Sequence, residues 1–166
     1  SALTDYEAQL AHMILSEEAP LEEPDRQRWF MKKAHMLVEK KSRELGRPMR
    51  ALVKTFGCQM NERDSEKLRG ILESVGYELT EEEDADFVLY NTCTVRENAN
   101  LKVYGRLGYL GGLKKKNPHM IIGLCGCMMQ EAEVVAKIQQ SYRFVNLIFG
   151  THNIYKFAEL LVSALE

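Results

Sequence analysis

The sequence predicts an α/β protein with a doubly wound, mainly parallel five-stranded sheet of the flavodoxin-like or Rossmann-like class, preceded by a helical N-terminal extension. From residue 50 onward, short apolar runs alternate with amphipathic helical stretches. This alternation is typical of a parallel sheet covered on both faces. Residues 1–49 contain no strand-like run. Five strands suit the order 2-1-3-4-5, and the predicted division is an extension, 1–49, and a domain, 50–166.

The extension is predicted to hold two helices. "TDYEAQLAHMILSEEA", beginning at the capping residue Thr4, reads as a short amphipathic helix. Prolines interrupt it, and residues 24–46 then read as a second helix that Gly46 ends. A stripe at helical spacing on this second helix predicts its packing face: Trp29, Met36, Leu37 and Lys40.

The remaining elements follow from apolar runs bounded by glycine, proline and asparagine. Strands are predicted at 51–56, 77–80, 86–91, 120–125 and 145–150, and helices at 61–75, 95–116, 130–141 and 153–166. Only "EEEDA" separates the second strand from the third, which is less than the usual crossover. Either that crossover is a single helical turn, or "YELT" (77–80) is a marginal edge strand.

Composition and charge exclude several classes. The 166 residues are 45% hydrophobic and 28% charged, with a net charge of −2, so the whole chain offers no electrostatic case for binding nucleic acid. No apolar run is long enough to span a bilayer, and the first residues do not form a secretory signal. Four cysteines are too few for a disulfide scaffold, so we expect a reducing, cytoplasmic location without membrane contact.

Three cysteines occupy equivalent places in the predicted sheet. Cys58 comes two residues after the first strand, Cys93 two after the third, and Cys127 two after the fourth. The carboxyl ends of parallel strands share one edge, and these three strands are neighbours in the order 2-1-3-4-5. We therefore expect the three thiols to gather at the switch point, where such sheets bind ligands.

Three converging thiolates predict a metal centre with one open position. Zinc can take three sulfurs and a water, and a 4Fe–4S cluster held by three cysteines leaves one iron open; ligand type alone does not separate them. Any single cysteine is more often a core residue, and Cys125, inside "MIIGLC", is interpreted as one. A vicinal redox pair in "CGC" is disfavoured because a strand end would strain it. A mixed site is disfavoured because the histidines are scattered: His12, His35, His119 and His152.

Residues beside the cysteines are candidates for supporting the centre. Gly57 and Gly126 would permit close approach of the chain. Polar neighbours would hydrogen-bond cluster sulfurs: Gln59, Asn61, Asn91 and Thr92.

The cysteine-containing segments resemble a known family. "TFGCQMNERDSE", "NTCTVRENA" and "GCMMQE" are similar, in order and spacing, to the three cysteine motifs of the N-terminal domain of the radical-SAM methylthiotransferases. The form "FGCQMN" is most like the tRNA-modifying branch of that family. The resemblance covers about residues 50–166, and three separate motifs make it specific.

The resemblance implies a function and a set of ligands. It implies an auxiliary 4Fe–4S cluster bound by Cys58, Cys93 and Cys127, whose free iron position holds the sulfur that is transferred. The full enzyme of this branch methylthiolates C2 of an N6-isopentenylated adenosine next to the tRNA anticodon, using S-adenosylmethionine and a second 4Fe–4S cluster in a radical-SAM barrel.

One departure from the family bears on activity. The barrel's CxxxCxxC signature is not found in these 166 residues. The resemblance therefore implies the first domain of a longer enzyme, acting with tRNA, a radical-SAM domain and an RNA-binding domain, and inactive by itself. A non-catalytic α/β binding module with a structural zinc or redox-active thiols is the alternative.

Overall fold

A five-stranded parallel sheet is the centre of the molecule. The computed structural model describes residues 18–57, 61–92 and 97–166. The strands are β1 (Arg50–Phe56), β2 (Glu78–Leu79), β3 (Phe87–Thr92), β4 (Ile121–Gly126) and β5 (Leu147–Phe149). Their order is β2-β1-β3-β4-β5 and every pairing is parallel, as the sequence predicts.

Five α-helices are described with the sheet. They are α1 (Asp25–Leu45), α2 (Glu62–Ser74), α3 (Glu97–Lys116), α4 (Ala132–Ser141) and α5 (Phe157–Leu165). Two 3₁₀ helices, Cys127–Gln130 and Thr151–Lys156, follow β4 and β5 directly. The predicted first helix of the extension, beginning at Thr4, lies outside the described residues. None of the described helices combines the length and the apolarity that a bilayer crossing requires.

The sheet separates two apolar cores. One core includes Leu68 and Leu72 of α2 and Leu161 of α5 against one face of the strands. The other includes Leu107 of α3 and Ile138 of α4 against the opposite face. Helices therefore cover both faces, which confirms the doubly wound architecture.

Helix α1 packs on the first of these cores, and the predicted stripe describes its packing face in part. Its fully buried residues are Ala34 and Val38. Leu37 of the stripe also packs on this core, whereas Lys40 is exposed. Small side chains at i and i+4 allow the helix to approach closely, and ion pairs from Arg26 to Glu159 (2.9 Å) and from Lys33 to Glu166 (2.6 Å) join α1 to α5 and the residue that follows it. The prediction of a separate extension, 1–49, stays a prediction.

Strand β2 is a marginal edge strand, so the second of the two alternatives for "YELT" is correct. It has two residues, both exposed, which pair with Arg50 and Ala51. No helix lies between β2 and β3, because the connection of seven residues, 80–86, is too short for a helical crossover.

Candidate functional site

The carboxyl ends of β1, β3 and β4 lie side by side in exact register. Phe56 of β1 pairs with Thr92 of β3, and Thr92 pairs with Gly126 of β4. Neighbouring strands are about 4.8 Å apart, so these three chain exits lie within roughly 10 Å of one another. The cysteines named by the sequence come two, one and one positions later in the chain. Strands β3 and β4 have the predicted length but begin and end one residue later than predicted, which brings their cysteines one position nearer to the strand ends.

Of the three cysteines, the structure describes Cys127. It is the first residue of the 3₁₀ helix after β4 and is partly exposed. Its Sγ lies 3.6 Å from Oγ1 of Thr151, within hydrogen-bonding distance for sulfur. Cys58 and Cys93 lie outside the described residues, as does Gln59, so their proximity to Cys127 stays a prediction.

Cys125 is a core residue, which confirms its interpretation from the sequence. Its side chain is fully buried in the core beneath α2 and α5. Burial raises the pKa of its thiol well above the ordinary value, so it stays protonated near neutral pH. A neutral buried thiol is neither a metal ligand nor a nucleophile.

Gly126 allows the chain to turn out of β4 directly against the end of β3. Its φ is +108°, and a Cβ atom there would lie 2.1 Å from the backbone oxygen of Thr92 and 2.7 Å from Oδ1 of Asn91. A backbone oxygen held in a sheet cannot move away, so only glycine fits. The predicted close approach at Gly126 is therefore confirmed for the contact between β4 and β3. A close approach of Gly126 to a cluster stays a prediction.

The polar residues beside the edge fix the start of α2. Asn91 donates from Nδ2 to the backbone oxygen of Asn61 and to Oγ of Ser65, both at 3.0 Å. Thr55 shares a 2.7 Å hydrogen bond with Ser65 and donates to Glu62 at 2.7 Å. Hydrogen bonds to the Glu62 carboxylate, first from Arg69 and then from Thr55, lower its pKa, so this carboxylate stays charged.

Two buried amide atoms in this network have no hydrogen-bond partner among the described residues. They are Nδ2 of Asn61 and Oδ1 of Asn91. The unpartnered N–H donor of Asn61 belongs to the residue that follows the "CQM" segment in sequence. An acceptor for this donor would lie outside the described residues, and the sulfur of a cluster is one that fits an amide N–H. Among the described residues no three possible metal ligands come together, so the free donor of Asn61 is the observation that fits a thiolate-held centre at this edge.

An open groove of about 780 Å³ approaches the edge along α2. Its lining includes Ile71 of α2 and Thr151, Ile154 and Tyr155 of the second 3₁₀ helix. Solvent therefore reaches Thr151 beside Cys127.

Thr151 is the residue of this site that the sequence reasoning did not identify. It stands two positions after Phe149 of β5, as Cys127 stands two positions after Cys125 of β4, and Cys125 and Phe149 are paired. The sequence did contain a signal for Thr151, because it is a polar residue that follows its strand at the same distance as Cys127 follows the neighbouring strand. Of the described histidines, His119 bonds Asp86 at the opposite edge and His35 pairs with Glu39. His152 lines the open groove next to Thr151, so the prediction against a mixed cysteine and histidine site stays a prediction.

The fold and the edge together define a flavodoxin-like α/β domain in which a cysteine follows each of three adjacent parallel strands in the sequence. A family model matches residues 50–150, and its description is "Uncharacterized protein family UPF0004". The chain belongs to this family. The match covers more than half of the chain and includes all three cysteine motifs.

Curated relatives extend the comparison. The tRNA-2-methylthio-N(6)-dimethylallyladenosine synthase of Lachnoclostridium phytofermentans is 68% identical over 124 residues, which are 75% of this chain and 27% of that relative. The synthase of the same name from Alkaliphilus oremlandii is 52% identical over 136 residues, 81% of this chain and 29% of the relative. That of Clostridioides difficile is 48% identical over 148 residues, 89% of this chain and 31% of the relative.

The chain thus spans less than a third of the length of these relatives. The resemblance drawn from the cysteine motifs, to the N-terminal domain of the tRNA-modifying methylthiotransferases, is confirmed by these comparisons.

Proposed function

We propose that this chain is the part of a tRNA methylthiotransferase that binds the auxiliary 4Fe–4S cluster, through Cys58, Cys93 and Cys127. The complete enzyme would insert sulfur at C2 of N6-isopentenyladenosine next to the tRNA anticodon. Its partners would be tRNA, a radical-SAM domain with S-adenosylmethionine and a second 4Fe–4S cluster, and an RNA-binding domain. It would act in the cytoplasm, where tRNA is modified.

The observation that carries the proposal is the register of three strand ends. Phe56, Thr92 and Gly126 form one row across adjacent strands, and a cysteine follows each of them within two positions. Short connections of this kind limit how far each cysteine can lie from the row, since one residue extends the chain by less than about 4 Å.

A fully closed four-cysteine site is not compatible with the described residues. Cys125, the fourth cysteine of the chain, is buried in the core as a protonated thiol. Structural zinc sites are closed by four protein ligands, whereas a three-cysteine centre keeps one position open. Three ligands at an edge open to a groove therefore favour a reactive centre over a structural one.

The residues of the chain have distinct roles in this proposal. The three thiolates hold the cluster, and Gly126 lets Cys127 leave β4 against the end of β3. Asn61, fixed by Asn91 through its backbone oxygen, would present its free N–H donor to the centre. When bound, a 4Fe–4S cluster held by three cysteines would supply one iron that no protein ligand occupies, which is the chemistry that sulfur transfer requires. Without a CxxxCxxC motif, the 166 residues by themselves are not expected to catalyse the reaction.

Anaerobic reconstitution of the chain with iron and sulfide tests the proposal. We expect about four irons per chain, with the broad visible absorbance of an iron–sulfur cluster. Cys58→Ser, Cys93→Ser and Cys127→Ser should each lose most of this loading. Cys125→Ala is the matched control, because it removes the buried cysteine next to the site and should load like the parent chain.

Two outcomes would contradict the proposal. Loading that survives all three serine substitutions would show that the ligands are wrong. Stoichiometric zinc binding by the same three cysteines, with no iron–sulfur spectrum under any anaerobic condition, would favour the alternative of a zinc-binding module.

A further inference from the structure

Thr151 is placed beside Cys127 by the register of two strands. Cys125 of β4 pairs with Phe149 of β5. Two residues after each of these positions the sequence reaches Cys127 and Thr151. The two side chains meet there, with 3.6 Å between Sγ and Oγ1. Thr151 therefore extends the row of strand-end positions by one strand, with a hydroxyl in place of a thiol.

The backbone on both sides of this contact is fixed. Cys127 and Thr151 are each the first residue of a 3₁₀ helix. Gln130, at the end of the first of these helices, packs on Gly150 so closely that a Cβ there would lie 2.7 Å from its Cγ. The donation from Asn153 N–H to the Gly150 carbonyl, 3.0 Å, closes the turn that begins the second helix. Packing between the segments that follow β4 and β5 thus holds the hydroxyl next to the sulfur.

The chemistry of the pair gives the contact a direction. A cysteine that binds a metal does so as a thiolate, which can accept a hydrogen bond but cannot donate one. The threonine hydroxyl must then be the donor. A hydrogen bond to a ligand sulfur withdraws electron density from it, stabilises the reduced cluster and raises its reduction potential.

We propose that Thr151 is a positioning residue that donates a hydrogen bond to the Cys127 thiolate, retains the cluster and raises its reduction potential. The inference rests on the proposed function. Thr151 is not itself a ligand of the cluster. The inference requires that its hydroxyl, which the open groove beside α2 exposes, bonds the Cys127 sulfur and no other side chain. Among the described residues, Cys127 is the hydrogen-bond partner of the Thr151 hydroxyl.

The test compares three variants at this position in the reconstituted chain. Thr151→Val keeps the shape and removes the hydroxyl, Thr151→Ala removes both, and Thr151→Ser keeps the hydroxyl. Thr80→Val is the matched control, since Thr80 also uses its hydroxyl, accepting from Arg50 at 2.7 Å, but does so far from the strand ends that carry the cysteines. Electrochemical titration gives the reduction potential, and iron release to a chelator gives cluster retention.

We expect the valine and alanine variants to have a lower reduction potential than the parent and to release iron about 10-fold faster, the low end of losses seen when a partner of a metal ligand is removed. The serine variant and the Thr80 control should resemble the parent. Agreement between valine and alanine separates the hydroxyl from packing, because their volumes differ.

The failures are distinguishable. A parent chain that binds no cluster overturns the proposed function and this inference with it. A parent that loads fully, with valine and alanine variants of unchanged potential and unchanged iron release, overturns the role of Thr151 alone. A serine variant that behaves like valine also overturns it.

Discussion

Asp86 joins three strands at the amino edge of the sheet, and replacing it provides a quantitative test of the fold. Its carboxylate accepts two hydrogen bonds from the Arg47 guanidinium and one from the backbone N–H of Arg50, each at 2.8 Å. Nε2 of His119 lies 2.7 Å away. The side chain is 4% exposed, so water has little access to the carboxylate and cannot readily take the place of a lost hydrogen-bond partner.

The stabilisation follows from the pKa of the carboxyl group. Burial by itself raises this pKa, but the hydrogen bonds from Arg47, from the Arg50 backbone and from His119 outweigh burial and lower it from 3.8 to about 2. At about 1.4 kcal/mol per pH unit, the charged form contributes about 2 kcal/mol to the free energy of unfolding. Because the folded-state pKa is below the ordinary value, this contribution is complete above about pH 5 and is lost as the pH falls towards 2.

Asp86→Asn should lower the free energy of unfolding by about 2–3 kcal/mol at pH 7. The amide NH₂ replaces an acceptor oxygen and faces donors, so at least one partner is left unsatisfied. With a urea dependence of about 2 kcal/mol per molar, the unfolding midpoint should fall by about 1 M. Urea unfolding followed by circular dichroism at pH 7, 5, 4 and 3 measures both the loss and its pH dependence.

The difference between parent and variant should shrink as the pH falls from 5 to 3. Asp84→Asn is the control, because Asp84 is an exposed neighbour and should change stability by less than about 0.5 kcal/mol. A loss for Asp86→Asn no larger than that of the control, or one that stays constant with pH, would refute the reasoning.

Two further predictions compare glycines within β4. Gly126→Ala should lower stability by at least about 2 kcal/mol and abolish cluster loading, because the new Cβ meets the fixed Thr92 oxygen at 2.1 Å and the chain must leave the sheet edge. Chemical denaturation and anaerobic iron loading measure these effects, and full loading in this variant would contradict the site geometry. Gly123→Ala should cost about 1–3 kcal/mol and keep loading, because its Cβ meets the flexible Leu147 and Leu89 side chains at 2.7 Å and 3.0 Å. If Gly123→Ala lost cluster loading while remaining folded, the effect on loading would not be specific to Gly126.

The sheet could be predicted from local pattern because β1, β3, β4 and β5 come from apolar runs that are buried, whereas β2 adds only two exposed residues at the edge. In β3 and β4 every residue is buried, and such continuous runs are typical of strands covered on both faces. The strand order was that of the fold class which five alternating strands predict. The strand ends share one edge of the sheet because the strands are parallel.

The contacts of single side chains could not be predicted in the same way. The face of α1 depends on where α5 lies, and Ala34 and Val38 are buried because small side chains suit that close approach. Asp86, in the acidic segment "EEEDAD", reads as a solvated residue. It is buried because Arg47, Arg50 and His119, which are distant in sequence, surround it.

The sequence by itself determined the parallel α/β architecture, the family and the three candidate ligands, because apolar periodicity and the spacing of cysteines are local properties of a chain. The tertiary structure decided the environment of Cys127 and the arrangement of the strand ends that precede the three candidate ligands. It aligned Phe56, Thr92 and Gly126 in one row, enclosed Cys125 in the core and set the Thr151 hydroxyl against Cys127. The physical reason is that register and packing join residues far apart in sequence, and only the assembled sheet brings them within hydrogen-bonding distance.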